Sequence, residues 1–359
     1  MPFSLLALCL MCSLVAPARG ADRAAGPEVP PHHTAKGFRN LHVQSGGRFL
    51  EFLRWRLGMG PREAPEVPAS EVPPYQADLR PPDLNALNHA EPGKIQVTWI
   101  GHSTFLVQTG GLNVLTDPIF SERASPVAFA GPKRVVPPGV PLEKLPPIHA
   151  VIISHNHYDH LDVRTIARLD PGVHYFVPLG LARWFQKQGI RKVTELDWWQ
   201  SASFGPLRFQ AVPAQHFSLR TLWDANETLW CGWVLESPAG KIFFTGDTGY
   251  SPDFREIGRR LGPMRLSLIH LGGYRPRWFM QPMHADPREA VRIHQDVGSQ
   301  QSLGMHWGTF RLTDEPLGEP PRLLRQILRE QRLPPESFTV MAIGETRVFA
   351  PIAALAEGR

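Results

Sequence analysis

The stretch SHNHYDHLD, residues 154–162, holds three histidines and two aspartates in nine positions. Four of these residues are proton-labile ligands within one short run: His155, His157, Asp159 and His160. A solvated surface is served better by Lys and Glu. A packed core would demand a hydrogen-bond partner for each of these groups. Imidazole nitrogen with carboxylate oxygen suits zinc or another first-row divalent ion. The apolar HAVIIS, residues 149–154, predicts a strand running into the cluster, so His155 and His157, two apart, are expected on one face. Asp159 and His160 follow where the chain must turn.

Three further candidates stand at the ends of other apolar runs: His216 after QAVPAQ, Asp247 after KIFFTG and His306 after SLGM. Taken alone, either histidine reads as an ordinary structural or surface residue, and Asp247 as an Asx turn. Beside the 155–160 cluster they complete a set of seven ligands, which predicts two ions. His155, His157, His216 and Asp247 would hold one. Asp159, His160, His306 and the same Asp247 would hold the other. Two zinc ions are expected, with manganese or iron compatible. Ions about 3.5–4 Å apart can activate a water and clamp an in-line displacement. His102, in GHST, is expected beside the ligands rather than among them. His32, His33, His42, His89, His149, His174 and His294 show no partner pattern and receive no role.

The elements that must position these residues lie in 94–350. KIQVTWIGHSTFLVQTGGLNVLTDPIF reads strand, strand, turn, strand, with Gly110-Gly111 as the hairpin turn. VHYFVP, RFQAVPA, WCGWVLES, KIFFTGD, LSLIHLG and QSLGMHW read as further strands. Helices are expected over VRTIARL, LGLARWFQKQG, DPREAVRIHQDV and PPRLLRQILREQRL. The third opens with Asp286 as N-cap, Pro287 in the first turn and Glu289 as capping-box partner. The whole reads as one compact α/β body of mixed sheets with helices outside.

Ahead of it, residues 3–15 form an uncharged apolar run too short to span a bilayer. With the small residues Ala18 and Gly20 before Ala21, the run predicts an export signal over 1–20. Export would place the protein in the periplasm or cell envelope; without it the chain would be cytoplasmic or membrane-associated. Residues 21–93 read as an appendage, proline-rich from 61 onward, and 351–359 as a tail. Within the appendage, residues 47–60 predict a short helix with Phe49, Phe52, Leu53 and Leu57 on one face. That helix either docks on the body or lies on a membrane surface. The chain has 359 residues, a hydrophobic content of 42% and a net charge of +5 from 38 basic and 33 acidic residues. Its arginines are scattered, with no basic run or aromatic-basic repeat, which argues against a nucleic-acid partner. Removal of residues 1–20 would leave Cys231 as the single cysteine, excluding an internal disulfide.

The HxHxDH pattern followed by separate His, Asp and His resembles the metallo-β-lactamase superfamily. The blocks IGHSTFLVQTGGLNVLTDPIFSERASP, GPKRVVPPG, SHNHYDHLD, FFTGDTGYSPDFREIG, GGYRPRWFMQPMHADPREAVRIHQD and MHWGTFRLTDEPLGEPP resemble its N-acylphosphatidylethanolamine-hydrolysing phospholipase D branch across nearly all of 94–350. The resemblance implies an αβ/βα sandwich with a binuclear zinc site of the ligand set above. It implies a histidine near the substrate phosphate, matched here by His284 in MHADP. The expected reaction converts N-acylphosphatidylethanolamine to phosphatidate and N-acylethanolamine, with Asp159 orienting or deprotonating the water and His284 serving the phosphate or the leaving oxygen. Apolar residues of 222–230 and 275–280, with Trp278 and Tyr274, are expected to shape the substrate groove. A phospholipid or other phosphodiester is the expected partner, with peripheral membrane association and a homodimer both compatible. The rival readings are a hydrolase of the same fold acting on a lactone or small phosphorylated substrate, and a non-catalytic envelope protein stabilised by metal.

Overall fold

The computed structural model describes residues 29–43, 49–61, 63 and 75–351. The expected export signal, most of the proline-rich stretch and the tail from 352 onward lie outside the described residues. The chain divides between Pro31 and His32, and the unit that begins at His32 carries the sheets, the helices and the histidine cluster.

That unit opens with a small hairpin, β1 (His33–Thr34) and β2 (Gly37–Phe38), then α1 (Phe49–Arg56) and α2 (Leu84–Asn88). The first large sheet is built from β3 (Ile95–Gly101), β4 (Thr104–Thr109), β5 (Leu112–Thr116), β6 (Ala150–Ile152), β7 (His174–Pro178) and β8 (Val193–Leu196), with α3 (Val163–Ile166) and α4 (Ala182–Lys187) on its crossovers. The second holds β9 (Ser201–Phe204), β10 (Leu207–Val212), β11 (Gly232–Ser237), β12 (Gly240–Phe244), β13 (Leu266–His270), β14 (Ser302–Met305) and β15 (Phe338–Thr339). Helices α5 (Asp253–Leu261), α6 (Arg277–Met280), α7 (Pro287–Asp296) and α8 (Glu319–Glu330) accompany it, and β16 (Thr346–Phe349) returns to the first sheet. The orders are β16-β3-β4-β5-β6-β7-β8 and β15-β14-β13-β12-β11-β10-β9.

Strand periodicity explains the layers. Ile95, Val97, Trp99, Phe105 and Val107 point between the sheets, where they meet Phe209, Trp233 and Phe244. Their neighbours Ile100 and Leu106 point the other way, into a core shared with Leu161, Ile166 and Phe185. On the second sheet, Val234 and Phe243 face Phe254, Val291 and Leu324 from α5, α7 and α8. Sheets of alternating strands thus bury both faces, one against the other sheet and one against helices. The product is the expected αβ/βα sandwich. Gly110 and Gly111 take φ of 58° and 75°, the left-handed pair a two-residue hairpin requires. The capping box at Asp286 and Glu289 is formed, with Pro287 opening α7.

Each sheet is antiparallel in one half and parallel in the other. Strands β5 to β8 and β12 to β15 run parallel. Parallel strands end at the same edge, and side chains just past those ends converge there. From His32 onward the segment that reads as an appendage belongs to the same compact unit, and Phe38 joins the inter-sheet core. Helix α1 rests on α6 through Trp55 and Phe279, whose rings lie 5.5 Å apart. Among the described residues, no helix is long and apolar enough to cross a membrane.

Candidate metal centre

Strand β6 stops at Ile152, so the histidine cluster sits in the loop just beyond it rather than on the strand. The loop still brings His155 and His157 together, with His155 Nε2 2.8 Å from His157 Nδ1. His216, past β10, adds its Nε2 at 3.3 Å from the same His157 nitrogen. Asp159 and His160 turn back toward the second sheet. His160 Nε2 stands 3.3 Å from Asp159 Oδ2 and 3.2 Å from Asp247 Oδ2. His306 Nε2, past β14, stands 3.0 Å from Asp247 Oδ2 and 3.4 Å from Asp159 Oδ2. Asp247 Oδ2 is also 3.9 Å from His216 Nε2, so one carboxylate oxygen faces both histidine groups. All seven residues named from the sequence therefore meet at one sheet edge.

These residues fit a pair of divalent cations. Nε2 of His160 and of His306 is buried with no hydrogen-bond partner. The ligand atoms of His155, His157 and His216 form one group within reach of a single ion. Those of Asp159, His160 and His306, with His102, form a second. Neighbours outside these groups fix the tautomers. His160 Nδ1 donates to Asp117 Oδ2 at 2.7 Å, and His216 Nδ1 donates to the Met283 carbonyl at 3.0 Å. Each bond leaves Nε2 as a lone pair aimed at the centre, the usual arrangement behind a metal-ligating histidine.

Charge points the same way. Burial holds His155 and His216 well below the ordinary histidine value and His157 down at about 4. Burial also acts on His160 and His306, but Asp247 leads the carboxylates that outweigh it: His160 rises well above the ordinary value and His306 to about 9. Burial would raise Asp159 and Asp247, yet His160 and its neighbours keep both carboxyls ionised. Two buried carboxylates ringed by imidazoles make a field that a small cation answers.

His102 sits beside the ligands, as expected, with Nε2 2.9 Å from Asp159 Oδ2. Three non-glycine residues here take left-handed backbone, His102 at φ 54°, Asp117 at 33° and His306 at 63°. Such strain, which the surrounding structure must hold in place, gathers at functional sites. Gly246, at φ 59°, precedes Asp247, and a Cβ there would lie 2.6 Å from Ser154 Cβ. The turn that presents Asp247 therefore needs glycine.

Two residues without a role in the sequence reading belong to this site. Asp117, just past β5, anchors His160 and accepts the Ser154 backbone N–H at 2.7 Å. His270, the last residue of β13, donates Nδ1–H to Asp247 Oδ1 at 3.1 Å and accepts from His284 Nδ1 at 3.1 Å on Nε2. His284 thus ends a carboxylate–imidazole–imidazole chain. Its side chain is 14% exposed, whereas that of His270 is closed off. The signal common to Asp117 and His270 is a polar residue at a parallel-strand end.

The substrate-contact expectations divide. Tyr274 is fully buried in the second-sheet core and its hydroxyl donates to Glu319 Oε1 at 2.6 Å, so it is not placed to touch a substrate. Trp278 is partly buried in a small apolar cluster of Phe279, Met280 and Met283, with Trp55 and Phe217 against it. Phe217 in turn lies 4.5 Å from the His157 ring. Of 222–230, Leu229 and Trp230 are core, while Leu222 and Trp223 are more than four-fifths exposed.

A beta-lactamase superfamily domain model matches residues 112–307. An N-acyl-phosphatidylethanolamine-hydrolyzing phospholipase D 1 of Caenorhabditis elegans is 42% identical over 272 residues, 72% of this chain and 76% of its own length. The mitochondrial enzyme of that name from Saccharomyces cerevisiae is 35% identical over 240 residues, 64% of this chain and 51% of its own. Among solved structures, the fold matches an isothiocyanate hydrolase from Delia radicum gut bacteria, with a TM-score of 0.59 at 21% identity, over 71% of this chain and 99% of that one. The chain belongs to the beta-lactamase superfamily and, within it, to the branch of metal-dependent hydrolases that holds the N-acyl-phosphatidylethanolamine-hydrolyzing phospholipases D.

Proposed function

We propose that the protein is a binuclear zinc hydrolase that cleaves N-acylphosphatidylethanolamine to phosphatidate and N-acylethanolamine. The observation that carries this reading is Asp247, one carboxylate facing two histidine groups while its other oxygen holds His270 and, through it, the partly buried His284. The names of the two phospholipase D relatives support the substrate.

His155, His157, His216 and Asp247 would hold one ion, and Asp159, His160, His306 and Asp247 the other. Bound there, the ions supply Lewis acidity, lowering the pKa of a water and offsetting charge on the phosphoryl oxygens. Asp159 orients that water for attack on phosphorus. Burial holds His284 well below the ordinary histidine value, so with Nδ1–H on His270 its Nε2 is a lone pair that can take the proton the attacking water sheds and hand it to the leaving ethanolamine oxygen. His270 sets the tautomer and angle of His284 and does not itself touch substrate. The apolar cluster of Phe279, Met280 and Met283 lines one side for an acyl chain. The exposed Leu50, Leu57 and Met59 of the α1 region, with Arg54 and Arg56 suited to anionic headgroups, and the exposed Leu222 and Trp223 of the 217–228 loop each offer apolar side chains to a bilayer. The apolar N-terminal run supports export to the cell envelope.

The test is product analysis by mass spectrometry. Zinc-loaded protein is given N-acylphosphatidylethanolamine in mixed micelles, with Asp247→Ala as control. Phosphatidate and N-acylethanolamine, lost with the variant, are expected. No lipid turnover from a protein that holds two metals would move the substrate to a lactone or a small phosphorylated compound.

A further inference from the structure

The ligand His216 lies four residues past β10, where no ladder strand pairs with it, and it is fully buried. Its backbone groups must still find partners, because an unpaired buried amide is costly. Both partners come from one side chain 176 residues away. Asn40 Nδ2 donates to the His216 carbonyl at 2.8 Å, and Asn40 Oδ1 accepts the His216 N–H at 3.2 Å. The same oxygen accepts Trp230 Nε1–H at 3.1 Å. Only a short amide offers a donor and an acceptor in one plane for this pairing. Alanine offers neither, and aspartate lacks the donor. With Nδ1–H on the Met283 carbonyl, His216 is then held at three points.

The segment that carries Asn40 is itself pinned. His32 Nε2 and His33 Nε2 each lie 2.7 Å from a different oxygen of Asp197. The His32 ring stacks on Trp198 at 4.2 Å. Phe38 N–H donates to the Asn226 carbonyl at 2.9 Å, and the strap runs so close that a Cβ on Gly37 would lie 2.0 Å from that oxygen. Residues 32–40 thus tie together the loop after β8, the loop carrying Leu222 and Trp223, and a metal ligand.

We propose that Asn40 is a positioning residue of the metal centre, and that residues 32–40 are the strap that delivers it. This rests on His216 being a ligand, and it is independent of the lipid substrate. The test is a competition titration of zinc against a chromophoric chelator, on full-length wild type, Asn40→Ala and the isosteric Asn40→Asp, with circular dichroism as the check on folding. Partners that orient a metal-ligating residue change affinity by about 10–100-fold when removed. Asn40→Ala should therefore weaken one zinc equivalent by that factor and leave the other at its wild-type affinity. Asn40→Asp, whose second oxygen faces the His216 carbonyl, should weaken the same equivalent, and it carries the test if the alanine variant fails to fold. His33→Ala, which loosens the strap without touching His216, should act in the same direction and less. Unchanged affinity in a folded Asn40 variant, or equal weakening of both equivalents, would overturn the proposal. A single equivalent in wild type would sink the two-metal reading instead, and unchanged affinity for that equivalent in Asn40→Asp would still overturn the role of Asn40.

Discussion

Asp247→Asn removes one negative charge without changing side-chain shape. In the folded protein Asp247 Oδ2 is approached by His306 Nε2 at 3.0 Å, His160 Nε2 at 3.2 Å and His216 Nε2 at 3.9 Å. A unit charge about 4 Å from another at an effective dielectric of about 20 is worth about 4 kcal/mol. Against a cation in this centre, that corresponds to about 10³-fold in affinity. Because both histidine groups face the same oxygen, the loss should fall on both equivalents, unlike the selective loss expected at Asn40. The assay is metal per chain after dialysis against a buffered range of free zinc. Wild type should hold two equivalents across concentrations at which Asp247→Asn holds fewer, with the circular dichroism spectrum kept. Two equivalents at wild-type affinity in the variant would refute the reasoning that Asp247 is shared.

Four more outcomes rest on particular contacts. Asp117→Asn takes the carboxylate from His160 Nδ1, and zinc affinity should fall about 10–100-fold by titration. His284→Gln should keep both metals and lower kcat by about 10²–10⁴-fold with little change in KM; an equal loss of metal would contradict its assignment to the phosphate side. Burial alone would raise the Asp197 carboxyl, but the His32 and His33 contacts and the Trp198 N–H draw it below the ordinary value. A depressed carboxyl stabilises above its unfolded pKa, about 3.9, and loses that contribution as pH falls through the folded value. Asp197→Asn should therefore lose about 1–3 kcal/mol in urea unfolding at pH 7 and approach wild type as pH falls through the folded value. Replacing exposed Leu222 and Trp223 together with Ser should weaken sedimentation with liposomes while leaving metal content unchanged.

Much of the site is legible in the sequence because its residues come after apolar strands. HAVIIS, KIFFTG and SLGM mark strand ends, and ligands placed there need no knowledge of distant partners. His270 escapes because it stands inside LSLIHLG as the last strand residue, where a histidine reads as part of the run. Asp117 escapes because its partner, the turn at 154–160, is joined to it only when β5 and β6 pair in parallel. Asn40 and the His32–His33 pair lie 164 to 176 residues from what they hold, and no local periodicity encodes such pairing. Helix α5 is hidden in the sequence because Gly258 interrupts its helical pattern. That glycine has a packing reason: a Cβ there would meet the Asp296 carbonyl at 2.0 Å, at the end of α7. The place of Tyr274 in GGYRPRWFM draws it toward the substrate, but an aromatic ring with a hydroxyl can equally fill a core when a carboxylate such as Glu319 accepts its proton in a hydrogen bond.

The most direct test of the central claim is hydrolysis of N-acylphosphatidylethanolamine in water enriched in oxygen-18, with both products weighed. Attack on phosphorus by a water at this centre predicts one labelled oxygen in phosphatidate and none in N-acylethanolamine. Label in the N-acylethanolamine, or diacylglycerol as the lipid product, would contradict the account.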